Sequence, residues 1–490
     1  MSSNGDLGLV DGTGLASNYS LNSTVINITQ RVLNSSGSKT YDANTDALDT
    51  DIILSNLVSG ESLNHSGTAT LSSANAGSYT ISNLTGISIA DNAGLASNYT
   101  LTGGTHNFTV NPKVVSIQGN KTYDGNTTIN TSDITAIVDT VGSETLVMSS
   151  GTGTLSSANV NNYFSGNINE GSLTLGNGTG LASNYTLTGH AASTFQVTQA
   201  PVTLSGSKTY DSTTTVSSSN LTVASGLIGS ETLGLTGDVD TNSANAGTYV
   251  ASSGQITPTS IALADGSNGG LAANYAISDA TVTINQKAIS LSGTRLYDAT
   301  TDAVASDLTT ISGRVGAETL TLSGTGSVAD ANVGVETVTV GSLALGDGTG
   351  LAANYTLSGG THQLTINQRP LAATIARQYD GTKTAAGSDF SSFDALQGGE
   401  TLTLSGSGTV GDENVASGLA VALGTLALVD GTGQASNYSL NSASLNITQR
   451  VLNSSGSKTY DANTDALDTD IILSNLVLSL IHISEPTRPY

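Results

Sequence analysis

The stretch GSKTYDANTD, Gly37 to Asp46, sets Asp42, Asn44 and Asp46 at alternate positions, as the first ligands of a calcium loop are set. Such a loop needs Gly at its sixth position and Glu at its last; counted from Asp42 these fall on Ala47 and Ile53. Other copies of the motif drop the spaced acids and keep the dipeptide, in YDGNTT from Tyr123, YDSTTT from Tyr210 and YDATTD from Tyr297. An Asp that caps its own backbone two residues on explains every copy as a turn. The expectation is no cofactor, with calcium admitted only as a weak ligand at joints between modules.

The remaining reactive residue types form no constellation. Up to Val477 the histidines are His65, His106, His190 and His362; His106 and His362 share a GGTH turn and His190 sits in a matching TGH. A turn residue locked to a repeat is not expected to be the base of a nucleophile–base–acid triad, and no acid pair is peculiar to one place in the chain. DGTGLAS carries a GxG but no third glycine and no strand–helix context, so it reads as a hairpin turn rather than a phosphate loop. No catalytic activity is expected. Sequons at Asn22, Asn27, Asn98 and Asn184 leave glycosylation open.

Composition narrows the partners. Thirty-eight acids against 14 bases give a net charge of −24, which repels phosphate backbones and anionic membrane surfaces. There is no Cys, hence no disulfide frame and no thiolate metal site. MSSNGDLGLV lacks the basic start and apolar core of a signal peptide. The longest apolar run, Ile471 to Ile483, is too short and too interrupted to span a bilayer.

What organises the chain is repetition. Tyr-Asp pairs stand at Tyr41-Asp42, Tyr123-Asp124, Tyr210-Asp211, Tyr297-Asp298, Tyr379-Asp380 and Tyr460-Asp461. Asn-Tyr pairs keep step at Tyr19, Tyr99, Tyr185, Tyr275, Tyr355 and Tyr438. Between them recur E(T/S)L, at Glu61, Glu144, Glu231, Glu318 and Glu400, and an ANAG-like turn from Ala74, Ala158, Ala244 and Ala331. A base stands two residues before each Tyr-Asp, at Lys39, Lys121, Lys208, Arg295, Arg377 and Lys458. These landmarks divide the chain into the end of a module (1–30), five full modules of about 82 residues (31–112, 113–199, 200–286, 287–369 and 370–449) and the start of another (450–477). Asn27–Val58 recurs letter for letter as Asn446–Val477, so a five-module block was itself duplicated. Residues 478–490 break the register and read as a sequencing-adapter artefact rather than protein; the whole reads as a window on a longer array.

Short alternating runs bounded by Gly, Asn, Asp and Ser predict strands, six or seven per module, with no helical periodicity. The fold expected is all-β, a tandem array of Ig-like sandwich modules forming an elongated rod; a right-handed β-helix is the alternative, though segments within a module do not resemble one another as rungs would. Joints of two to four residues, stiffened by Pro112, Pro201 and Pro370, leave little independent motion. The Asn-Tyr tyrosine is expected to act like a tyrosine corner, its hydroxyl bonding backbone upstream.

With these residues in place, the array resembles the YDG/MBG-type repeats of filamentous-haemagglutinin-like bacterial adhesins. The matching letters are KTYDG at Lys121, KTYDS at Lys208, the ETL strand, the ANAG or ANVG turn and GLASNYTL at Gly94 and Gly180. The fifth module departs, with RQYDGTKT at Arg377 and DENVA at Asp412. The resemblance implies export across a Gram-negative envelope with an outer-membrane export partner, surface display, and a role in adhesion or biofilm formation. It carries no catalytic residues. Two roles follow as expectations: a stalk that spaces a binding tip from the cell, or weak multivalent binding of a receptor, glycan or matrix by each repeat.

Overall fold

The computed structural model describes residues 8–21, 26–81 and 84–477. The tail assigned to a sequencing artefact, 478–490, lies outside the described residues. The chain is all-β, with sheet modules repeated in tandem; among the described residues helical geometry is confined to three-residue 3-10 turns, and none is long and apolar enough to cross a membrane. The chain divides into two compact units, one of residues 1–204, 223–236 and 262–278, the other of 205–222, 237–261 and 279–490.

The second module, inside the first unit, shows the plan. Its strands are β1 (Lys113–Val114), β2 (Ser116–Thr122), β3 (Thr128–Asn130), β4 (Ile134–Val138), β5 (Leu146–Ser150), β6 (Thr152–Leu155), β7 (Asn161–Phe164), β8 (Ile168–Asn169), β9 (Thr174–Asn177), β10 (Tyr185–Thr186) and β11 (Thr194–Thr198). Eleven strands replace the six or seven expected, because the turn residues cut each alternating run into ladders of two to seven residues. One sheet has the order β4-β2-β11-β7, a second β3-β6-β8, with β5-β9 and β1-β10 as ribbons. The first long strand and the last pair in parallel, Gln118 opposite Thr194 through Thr122 opposite Thr198. Phe195 and Val197, alternate residues of β11, face inward, each about 1% exposed, against Ile117 of β2 and Ile129, Leu155 and Ile168 of the second sheet. Burying a side chain such as Phe195 contributes roughly 1.5–3 kcal/mol. Gly119 makes room for that ring: a Cβ there would lie 2.6 Å from it.

The same four-stranded plan recurs in the first module, with Asn34–Thr40 parallel to His106–Asn111. In the second unit it recurs in the fourth module, with Ser290–Leu296 parallel to His362–Asn367. In the fifth, longer ladders merge the two sheets into one of six strands, with Arg369–Gln378 parallel to Tyr438–Thr448.

DGTG is not a hairpin turn. The strand Ala344–Asp347 pairs with Leu320–Ser323, whereas Tyr355–Thr356, beyond the loop, pairs with Lys287–Ala288. The reason is the Asp347 carboxylate, which accepts from the Ala352 amide (2.7 Å) and turns the chain into the 3-10 turn Ala352–Asn354 just before Tyr355.

Candidate functional site: the joint between modules

The base preceding each Tyr-Asp is the cation of the calcium-like loop. Lys39 Nζ donates to Asn44 O (2.9 Å), Asn44 Oδ1 (2.7 Å) and Asp46 O (2.7 Å), and pairs with Asp42 Oδ1 at 2.9 Å. Lys121 does the same with Asp124 (2.9 Å), Asn126 and Thr128, and Lys208 with Asp211 (2.7 Å), Thr213 and Thr215. The ammonium gathers the oxygens that the motif turns inward. Burial pushes the Asp124 carboxyl up, but the Lys121 hydrogen bond and the Asn126 amide outweigh it and hold the group below its ordinary value; Asp42 and Asp211 are lowered by the same balance. Among the described residues no group of three or more His, Asp or Glu side chains converges as metal ligands would. Arg295 and Arg377 fill the cage less well, leaving Nε buried with no hydrogen-bond partner. Arg295 pairs with Asp298, Arg377 with Asp380, and Lys458 with Asp461. The residue after Asp turns left-handed, at Gly125 (φ 76°) and Gly381 (φ 74°) but also at Ala43 (φ 63°), Ser212 (φ 65°) and Ala299 (φ 63°), which is why glycine suits the place.

The tyrosine of that turn leaves its own module. Tyr41 donates to Glu144 Oε1 (2.7 Å) of the second module, whose Oε2 accepts from Tyr185 (2.6 Å). Tyr123 and Tyr275 hold Glu231 (2.6 and 2.6 Å), Tyr210 and Tyr355 hold Glu318 (2.7 and 2.6 Å), and Tyr297 and Tyr438 hold Glu400 (2.5 and 2.6 Å). In each pair the rings meet edge to face, with centroids 5.3, 5.4, 5.4 and 5.2 Å apart, a geometry worth about 0.5–1.5 kcal/mol. One carboxylate thus clamps a tyrosine from each side of a joint through charge-assisted hydrogen bonds of about 1.5–3 kcal/mol each.

The glutamate sits on a tight turn: Glu144 N–H donates to Val141 O (3.0 Å) around Gly142, whose φ is 59°. The final glycine of the DGTG-like loop gives it space, since a Cβ at Gly180 would lie 2.5 Å from Glu144 Oε2. The Asn-Tyr hydroxyl also accepts from backbone, Val141 N to Tyr185 at 3.0 Å. That meets the upstream backbone as expected, but 44 residues back rather than within one corner. The Asn of Asn-Tyr crosses too: buried Asn184 donates to Asn75 Oδ1 (3.0 Å) and accepts from Ala76 N (2.8 Å) in the first module's ANAG turn. Asn274, Asn354 and Asn437 repeat this on Asn159, Asn245 and Asn332. Tyr79, Tyr163 and Tyr249 brace those turns by donating to Asn75, Asn159 and Asn245 carbonyls.

Burial first, then the bonded glutamate, pushes Tyr123, Tyr185, Tyr210 and Tyr438 up to about 12; Tyr41, Tyr275, Tyr297 and Tyr355 are raised by the same causes. Of the remaining signature residues, Tyr99 donates to Glu61 and is buried. Tyr379 is half-buried, and Tyr19 and Tyr460 are exposed. The structure therefore joins four Tyr-Asp tyrosines to four Asn-Tyr tyrosines. The glutamates and the Asn of Asn-Tyr were read from sequence as landmarks only; their lockstep recurrence was the available signal.

The histidines are tied to backbone. His106 Nε2 reaches Leu101 O (2.8 Å) while Nδ1 faces Ser35 Oγ (2.9 Å), both side chains buried. His65 contacts the Asp49 and Ile52 carbonyls, His362 the Leu357 carbonyl, and His190 pairs with Glu170.

The family model described as the YDG domain matches residues 27–109, 280–364 and 361–446. A search of curated proteins gives no match. Among solved structures, the crystal structure of the N-terminal eight Ig domains of Down Syndrome Cell Adhesion Molecule aligns over 86% of this chain and 71% of that one, at 9% identity and a TM-score of 0.13, too loose a likeness to support an argument. The family matches together cover just over half of the 490 residues, and the chain belongs to the YDG-domain family.

Proposed function

We propose that this chain is the structural stalk of an exported bacterial surface adhesin, spacing a binding tip from the cell in adhesion or biofilm formation. The carrying observation is that the residues repeated most faithfully are spent on joining module to module, four times over, in the same clamp. A chain selected to bind or to catalyse would concentrate its distinctive residues on an accessible face; here they are buried at the joints. This reading has no catalytic step, and places the chain at the cell surface with an outer-membrane export partner.

The test varies module number in cells displaying the chain. A stalk changes how far a fixed terminal tag stands from the surface by a constant increment per module, with no glycan or matrix binding at any length. Binding that rises with module number replaces the stalk by the multivalent reading. A tag distance that does not depend on module number sinks it.

A further inference from the structure

Each complete clamp sets two phenols on one base. The two tyrosine hydroxyls donate to the two oxygens of a single glutamate. The rings stand edge to face, their planes 77° or 78° apart. Hydroxyls gathered on one carboxylate also gather the ring carbons ortho to them. Removing an electron from a phenol makes its hydroxyl strongly acidic, so a phenol already bonded to a base loses that electron far more readily than one without.

Composition leaves such oxidation few other targets. The chain has neither Trp nor Cys, so tyrosine is its most easily oxidised side chain. Burial excludes reagents from the clamp, but only an electron has to cross the protein, because the proton has its acceptor in place. Tyr79, Tyr163 and Tyr249 supply the contrast within the same molecule. Their hydroxyls donate to backbone carbonyls, which are too weakly basic to take a proton, and among the described residues none of them faces a second tyrosine ring.

We propose that each Tyr–Glu–Tyr clamp is a site of dityrosine formation, which welds adjacent modules covalently when a one-electron oxidant, such as the haem of a peroxidase supplied with hydrogen peroxide, draws electrons from the chain. Each tyrosine gives one electron to the oxidant and its hydroxyl proton to the glutamate, which passes that proton to water before it takes the next. The two phenoxyl radicals couple through a carbon ortho to each oxygen. The hydrogen on each coupled carbon then moves to its oxygen as a proton, and both rings become aromatic again. The product has lost two electrons and two protons, and nothing else leaves.

A haem peroxidase and hydrogen peroxide added to the purified chain, followed by digestion and mass spectrometry, test this. The expected products are cross-linked peptide pairs, one per clamp, each two hydrogens lighter than its parts and formed within single chains. Tyr41→Phe should abolish the Tyr41–Tyr185 product alone. Glu144→Gln keeps the shape of the clamp but removes its base, and that product should then form about a hundredfold more slowly, while the other three clamps of the same molecules keep their rate. Hydrogen exchange at the Ala76 amide, which Asn184 holds across the same joint, shows whether the variant joint is still closed. No cross-link within single chains, oxidation confined to the exposed Tyr19 and Tyr460, or a Tyr41–Tyr185 product as fast in Glu144→Gln as in the wild type would overturn the proposal.

Discussion

Replacing Tyr123 by Phe deletes one hydroxyl and leaves the ring on Tyr275. In the structure that hydroxyl donates to Glu231 Oε1 at 2.6 Å, with the tyrosine 5% exposed. A hydrogen bond to a charged group contributes about 1.5–3 kcal/mol, and the glutamate oxygen left behind is partly shielded from water, so the loss should lie near the upper half of that range. The edge-to-face contact, about 0.5–1.5 kcal/mol, survives in the Phe variant and drops out of the comparison. The informative quantity is the coupling, obtained by making the same change in a Glu231→Ala background. There the acceptor is already gone, and Tyr123→Phe should cost less than about 0.5 kcal/mol. Urea unfolding followed by circular dichroism, fitted with intrinsic module and nearest-neighbour joint terms, assigns the loss to one joint. Fitting a single two-state transition to a tandem array would blur it. If Tyr123→Phe costs the same with and without Glu231, or if the loss falls on the intrinsic term of one module, the clamp does not couple the modules.

Three further outcomes are expected. The raised tyrosines keep their protons more tightly folded than unfolded, so the clamp is intact below pH 10, the ordinary value, and is lost as pH rises towards about 12; phenolate absorbance from these residues should appear with the loss of the β-sheet signal, not ahead of it. At the lysine cage, Lys121→Met should destabilise by about 3 kcal/mol, whereas Arg295→Lys should stabilise by about 1 kcal/mol by removing the buried unpartnered Nε; urea midpoints check both, and added calcium should leave the wild-type midpoint where it is. Gly125→Ala should cost about 1–2 kcal/mol, since φ is 76° and the new Cβ would lie 3.0 Å from Ile228 across the joint, while Ser212→Gly should gain up to about 1 kcal/mol; thermal melts of the two variants should move in opposite directions.

Much of this architecture was legible in the letters. The short alternating runs bounded by Gly, Asn, Asp and Ser are the strands, as at His106–Asn111, where Phe108 and Val110 are each about 1% exposed, and the Tyr-Asp motif is a turn. The clamp was not legible, for a physical reason. Tyr41 and Glu144 lie 103 residues apart in different modules, and a repeat at a fixed period looks the same whether a landmark contacts its own module or the next. Nor was the cage: a lysine two residues before a tyrosine points nowhere until the left-handed turn at Ala43 folds Asn44 and Asp46 back over it. The DGTG reading failed because glycine-rich loops make hairpins only when the flanking strands pair, and these strands pair elsewhere.

The parallel pairing of a module's first long strand with its last has a mechanical consequence. In the second module the chain enters at the Ser116 end of one strand and leaves at the Thr198 end of its neighbour, opposite ends of a single ladder. Tension between the termini therefore slides the two strands along each other and strains their cross-links together. Had the pair been antiparallel, the same pull would have opened them one by one, like a zipper. Each bead is thereby built to resist stretching most strongly along the direction in which its own chain runs.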